Sequence, residues 1–455
     1  MFSTWGALTG LVLAIVLIVR KATPAYALVL GALLGGLLGG GGLPETVGAM
    51  IGGAQSMMPS VLRILTSGVL AGALVKTGSA EKIADAIVGA LGTRFALAAI
   101  ALATLIVTAV GVFVDIAVIT VAPVALAVGR RAGIPVPALL LAMVGGGKAG
   151  NVISPNPNTI AAADAFNVDL TALMLKNIVP ALCALAVTIL LARWLSRRGR
   201  RSKAGEINAP TATGETPVVP VSGHAGLMTL PPQPSTLNAQ RSTLNAQPST
   251  LNPQPTLLSA AAGPLVVVAL LALRPLCGFA VDPLVALPAG GLVAILVCGK
   301  WRQTASFCEY GLSKVVGVSI LLIGTGAVAG IVKNSGLNAD MIAILNACHL
   351  PAFALAPLSS VLLSGATAST TAGVTIASQT FSGTLVQAGV PALSAAAMLH
   401  AGGPIFDALP HGSFFHATAG AVGMGVKDRL KLFPYGTLVG ATSTVVSVLV
   451  YLCGF

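Results

Sequence analysis

Charge is what this sequence has least of. Only 8% of its 455 residues are Asp, Glu, Lys or Arg, where a soluble domain carries about 25%, so a water-soluble globular fold is excluded. Acids are scarcer still, 13 against 25 Lys and Arg, for a net charge of +12. That sign needs no nucleic-acid partner, because basic residues of membrane proteins collect in cytoplasmic loops and set orientation. The six cysteines (Cys183, Cys277, Cys298, Cys308, Cys348 and Cys453) are scattered without metal-ligand spacing. They read as packing residues, and neither a metal nor a cofactor is expected. No GxSxG, HExxH or nucleotide-binding loop occurs, so neither an intramembrane enzyme nor a nucleotide-driven pump is expected.

What the chain has is apolar length. Hydrophobic residues make up 55% of it and the mean hydropathy is +0.91. Runs of spanning length fall near 5–19, 25–42, 57–75, 135–165, 172–193, 259–274, 280–299, 314–332, 391–421 and 434–453. The first ends at Arg20-Lys21 without a charged leader or cleavage site, and reads as a retained helix. Two longer runs, about 95–128 and 350–388, are interrupted by "TAVGVFVDIAV" and "LLSGATASTTAGVTIAS". These read as re-entrant hairpins, whose irregular tips survive in a bilayer only when buried in protein or lining a wet cavity.

The halves resemble each other. "GVLAGALVKTGSAEKIADAI" from Gly68 matches "GAVAGIVKNSGLNADMIAI" from Gly326, and "AMVGGGKAGNVISPNPNT" lies over "AMLHAGGPIFDALPHGSF". The expectation is an all-α polytopic membrane protein of about ten transmembrane helices plus two hairpins. Five spans and a hairpin per half make two inverted-topology repeats, with two broken helices, the plan of secondary transporters. The repeats are expected over 1–195 and 259–455. Residues 196–258, with "STLNAQR", "STLNAQP" and "STLNPQP" in tandem from Ser235, read as a disordered cytoplasmic linker. Placing Arg20-Lys21 inside puts both termini outside. It leaves only Lys176, Arg274, Lys333 and Arg63 among the outer basic residues, in keeping with the positive-inside bias.

Breaking a helix in a bilayer strands carbonyls and amides at several kcal/mol each unless something satisfies them. Transporters turn such breaks toward substrate and coupling ion at the midplane. The first break, "GGGKAGNVISPNPNT", offers Lys148, Asn151, Ser154, Asn156, Asn158 and Thr159 as donors and acceptors for hydroxyls or a carboxylate. Lys148 has three candidate roles: holding a substrate carboxylate, pairing with Asp115, or filling a sodium site with its ammonium. The second hairpin tip offers Thr367, Ser369, Thr370 and Thr371, whose hydroxyls and amides suit an anion. The second break offers Asp407, His411 and Ser413, with His400 a weaker candidate and His416 and His349 weaker still. Asp115, an isolated acid in the first hairpin, is the first choice for a proton carrier, and Asp407 with His411 the second. Arg63 is expected to snorkel.

"KAGNVISPNPNTIAAADAF", "TASTTAGVTIASQTF" and "FDALPHGSFFHATAG" resemble the gluconate permease family, within the larger ion-transporter superfamily. The resemblance covers both halves outside the linker. It implies uptake of gluconate or a related sugar acid or hydroxycarboxylate with protons across the inner membrane. An elevator-like motion and a homodimer are also implied, with sodium coupling as the alternative. Gluconate permeases proper carry a His- and Pro-rich segment where this chain has "KAGNVISPNPNT", which leaves the particular carboxylate open.

Overall fold

Runs of small and aliphatic residues interrupted by Gly and Pro form helices wherever the backbone must satisfy itself away from water. In the computed structural model, the described residues are 2–20, 22–201, 255–279, 281–347, 349–410 and 412–454. They are helical throughout, apart from connecting turns and one isolated bridge between Phe2 and Ser335. Most of the linker expected at 196–258 lies outside the described residues.

The helices sort into two layers by what they pack against. The first layer holds α1 (Thr4–Val19), α2 (Pro24–Leu38), α3 (Leu43–Ser56) and α4 (Met58–Lys76) with α12 (Leu257–Cys277), α13 (Pro283–Val297) and α14 (Thr304–Lys333). α14 has 30 residues, or about 45 Å of helix, and runs along α2, α3 and α4. Glycine permits that closeness, since a Cβ on Gly311 would meet the Gly68 carbonyl oxygen at 1.8 Å. In a membrane, where lipid is as apolar as leucine, such close backbone packing is what holds helices together.

The second layer carries the irregular segments. It contains α5 (Ser79–Leu91), α6 (Ala96–Ala109), α7 (Val114–Ala132), α8 (Val136–Asn151), α9 (Pro157–Ala165), α10 (Leu170–Lys176) and α11 (Ile178–Arg201). From the second half come α16 (Leu355–Thr367), α17 (Thr370–Gln387), α18 (Ala392–Gly402), α19 (Ser413–Gly420), α20 (Val426–Lys431) and α21 (Phe433–Leu452). α15 (Leu337–Ala347) leads into this layer from α14. The layers meet where α14 touches α17, α12 touches α5, α4 touches α9 and α1 touches α16.

Both interrupted runs turn back as helix–turn–helix pairs, α6–α7 and α16–α17, and both broken runs split, α8–α9 and α18–α19. Among the described residues, five helices are long and apolar enough to cross a membrane, at Met58–Lys76, Ile178–Arg198, Leu257–Arg274, Trp301–Lys333 and Val426–Leu452. α5 and α6 form a sixth candidate bent by 103°. α1, α2 and α13 are apolar but have 15 or 16 residues, short of the ~20 that a full hydrocarbon core asks for. α3, α5 and α15 were not anticipated as separate helices. They are short, and their apolar content merges with that of their neighbours. Large exposed side chains such as Trp5, Tyr26 and Leu362 form an apolar exterior that suits lipid rather than water.

Candidate functional site

The first break is organised around one side chain. α8 is buried on every side from Ala138 to Asn151, and its glycines make that possible. A Cβ on Gly146 would lie 2.1 Å from the Ala101 carbonyl oxygen of α6, and one on Gly150 would lie 2.4 Å from that of Leu105. The helix stops at Asn151 because Pro155 and Pro157 have no amide hydrogen to continue the ladder. Asn156 then satisfies both loose ends. Its Nδ2 donates to the Asn151 carbonyl at 2.9 Å and to Asn151 Oδ1 at 2.6 Å. Its Oδ1 accepts from the amides of Asn158 and Thr159 at 3.1 Å each, capping α9, whose first residue is Pro157.

Three further segments close on this break. Thr371 Oγ1, from the second hairpin tip, donates to Asn158 Oδ1 at 2.9 Å. His400 Nε2, at the end of α18, lies 3.5 Å from both Asn158 Nδ2 and Thr159 Oγ1. Thr370 Oγ1 donates at 2.7 Å to Asp407 Oδ2, in the second break. Lys148 Nζ reaches across from α8 to Asp407 Oδ1 at 2.7 Å, with side chains only 2% and 7% exposed. The same ammonium donates to the carbonyls of Pro404 at 2.6 Å and Gly436 at 3.3 Å. The ammonium thus makes two hydrogen bonds to carbonyls and one ion pair to a carboxylate.

The expected residues therefore separate into groups. Lys148, Asp407 and Thr370 form one polar group, and, adjoining it through the neighbouring residues Thr370 and Thr371, Asn151, Asn156, Asn158, Thr159 and Thr371 form a second. His400, weighted lightly from sequence, belongs to it. Ser154 is buried beside them, its hydroxyl without a partner among the described residues. Thr367 and Ser369 serve their own turn: Thr367 Oγ1 donates to Leu363 and Ser369 carbonyls, and Ser369 Oγ caps α17. Ser413 is exposed at the start of α19, away from the cluster contacts. His416, also exposed, bonds the Pro410 carbonyl through Nε2, and His349 is exposed. His411 lies outside the described residues.

Of the three roles open to Lys148, the structure shows an ion pair, with Asp407 instead of Asp115. Asp115 opens α7, in its first turn. The first hairpin tip passes near the first break, where a Cβ on Gly111 would lie 4.0 Å from Pro155 Cγ.

Arg63 does not snorkel. Its guanidinium pairs with Asp164 of α9, which also accepts from Ser60, and with Asp282, the residue that caps α13, at 2.6 and 3.0 Å. Arg274 of α12 pairs with Asp169, the residue that caps α10. Both arginines belong to the first layer, and Asp164 and Asp169 to the second. The Arg63–Asp164 and Arg274–Asp169 pairs span the seam, while Arg63–Asp282 stays within the first layer, beside a cleft of about 400 Å³ lined by Ser56, Ser60, Arg63, Asp164, Asp169 and Arg274. α9 joins cleft to cluster, with Asp164 at one end and Asn158 at the other, about 9 Å apart along the helix. Sequence reasoning also missed Arg429, buried on α20 between the exposed Lys427, Asp428 and Lys431. In the sequence it reads as one more basic residue in a charged loop.

The fold is that of a polytopic helical membrane transporter. The YdaH transporter of Alcanivorax borkumensis, whose crystal structure is described as revealing an unusual topology, superposes with a TM-score of 0.63 at 18% identity, over 91% of this chain and 90% of that one. The particular family follows from sequence: the model of the GntP family permeases matches residues 4–453, and the chain belongs to that family. A Haemophilus influenzae protein named as an uncharacterized transporter is 49% identical over 449 residues, 99% of this chain and 98% of its own length. The inner membrane permease YgbN of Escherichia coli is 28% identical over 173 residues, 36% of this chain and 37% of that one. The chain is thus a permease, as its motifs implied.

Proposed function

We propose that this permease imports gluconate or a related small sugar acid or hydroxycarboxylate by proton symport with alternating access. The observation that carries this reading is the Lys148–Asp407 pair, buried where the two breaks and the second hairpin tip converge. Asn158, Thr159, Thr371 and His400 beside it offer the donors and acceptors that a polyhydroxy chain needs.

Coupling follows from like charges. A substrate carboxylate and the Asp407 carboxylate disfavour each other in a dry site, so binding an anion favours a proton on Asp407, and a proton on Asp407 favours the anion. Protonation also releases the third hydrogen of Lys148 toward the substrate. One monoanion with one proton moves no net charge. Asp407 therefore takes the carrier role for which Asp115 was the first expectation, because Asp115 stands apart from the cluster. The sodium alternative is weaker on one count: the carbonyl and carboxylate oxygens that would suit Na⁺ are occupied by the Lys148 ammonium.

The cleft at Arg63 and Arg274 serves as the outer vestibule, and the second layer moves against the first. The resemblance between the halves supports inverted repeats, and the basic loops support a cytoplasmic linker with both termini outside. The same family likeness underlies our reading of an inner-membrane homodimer.

The test is uptake into proteoliposomes of gluconate, glycerate, lactate and citrate under imposed pH, sodium or voltage gradients. Accumulation driven by an inward proton gradient, with little response to voltage for a monoanion, is expected. Accumulation that follows sodium at fixed pH would replace proton coupling with sodium coupling.

A further inference from the structure

We propose that Arg429 is the docking cation for the substrate's carboxylate, and that Lys148 serves chiefly as the partner of Asp407. This assignment rests on the carboxylate reading above and deepens it. In the cluster as it stands, Lys148 is already committed: its ammonium donates to the Pro404 and Gly436 carbonyls and is paired with the Asp407 carboxylate. An arriving anion needs a cation that is not already spent.

Arg429 meets that need. It is 2% exposed, and among the described residues no carboxylate oxygen lies within 4.0 Å of it. The hydrogen bond seen from its guanidinium runs from Nη2 to Thr418 Oγ1 at 3.3 Å, and Nε has no acceptor among the described residues. Asp407 is within electrostatic reach, but its two oxygens are engaged by Lys148 and Thr370.

A buried guanidinium without an ionic partner is costly. It is tolerated where a ligand completes it. The Phe415 ring lies 5.5 Å from the guanidinium carbon. Stacking of that kind covers a face of the planar group and leaves edge N–H donors for a carboxylate, which guanidinium binds through two parallel hydrogen bonds. Charge balance points the same way. Lys148 and Arg429 set two cations against the single carboxylate of Asp407, so the empty site carries a surplus positive charge that draws an anion, and the proton that Asp407 then takes up leaves the loaded site with the same net charge. Asp407 also lies close enough to sense that anion, which the coupling requires.

The test measures the melting temperature of the purified full-length protein with gluconate, glycerate, lactate or citrate, and with inorganic phosphate as control. At least one acid stabilises the wild type, and phosphate does not. In Arg429→Gln the half-saturating concentration of that acid rises on the order of 100-fold. The ligand-free melting temperature of this variant is unchanged or higher, because an unpaired buried charge has gone. Arg429→Lys keeps the charge without the fork and recovers part of the affinity. Arg429→Gln that keeps wild-type affinity overturns the assignment. So does a lower ligand-free melting temperature in both variants with affinity retained in Arg429→Lys, which would mark a structural arginine. Equal stabilisation by phosphate would replace a carboxylate dock with a general anion pocket. A wild type that responds to none of the four acids removes the carboxylate reading itself, and this assignment with it.

Discussion

Two sets of ion pairs in this molecule use the same chemistry in different surroundings. Lys148 and Asp407 are 2% and 7% exposed, inside the second layer. Arg63, Asp164 and Asp282 are 27%, 17% and 43% exposed, on the seam between the layers. A buried pair is held by the penalty for separating it, since a lone charge in a dry site costs about 3–5 kcal/mol. A wet pair contributes about 0–1 kcal/mol and exchanges readily with water. The buried pair therefore suits a switch that changes state only when a proton or an anion arrives. In the proposed motion of one layer past the other, the Arg63–Asp164 pair suits a contact that forms and breaks with each cycle.

The largest effect should come from Asp407→Asn. It removes the titrating group and leaves Lys148 without its counter-ion, so proton-driven accumulation should fall by at least about 100-fold. Exchange of external for internal substrate should survive better, because the amide keeps the shape. Parallel measurement of accumulation and counterflow checks this, and unchanged pH-driven accumulation would move the proton elsewhere. Lys148→Ala comes next. It strands the Asp407 carboxylate at a cost of about 3–5 kcal/mol, read as a lowered melting temperature, and Lys148→Ala with Asp407→Leu should recover part of that loss. A double variant no more stable than the single one would show that the two charges are not energetically coupled.

At the seam, Asp164→Asn should change stability by no more than about 1 kcal/mol. Its effect belongs to the rate of uptake, by roughly 3- to 10-fold, with substrate affinity little altered. A large loss of affinity with an unchanged maximal rate would put Asp164 in the binding site instead. The smallest effect is expected from Asp115→Asn, whose uptake should stay within about 3-fold of wild type and keep its pH dependence. Loss of accumulation with exchange intact would return the carrier role to Asp115 and sharpen the contrast between the two hairpin tips.

Much of this was legible before any fold was known. Pro155 and Pro157 with three asparagines forbid a continuous helix, because proline lacks the amide hydrogen and asparagine competes for the backbone. Thr370 and Thr371 stand out for the same reason, as polar groups in a run otherwise fit for lipid. Asp115 stands out by its isolation along the chain, which says nothing about which helix faces it. His400 was underweighted because its neighbours in sequence are apolar, and Arg63 because basic residues near a span end usually reach for water.

Composition and local backbone chemistry alone determined that this chain is a helical membrane protein, where it breaks its helices, and which polar side chains it carries at the breaks. These follow from covalent structure and the solvent, and act over a few residues. Tertiary structure decided the partners: Lys148 with Asp407, Arg63 with Asp164 and Asp282, and Arg429 with Thr418 and Phe415 but no carboxylate within 4.0 Å among the described residues. Those pairings depend on how glycine-lined helices from distant parts of the chain approach and rotate, which no local pattern encodes.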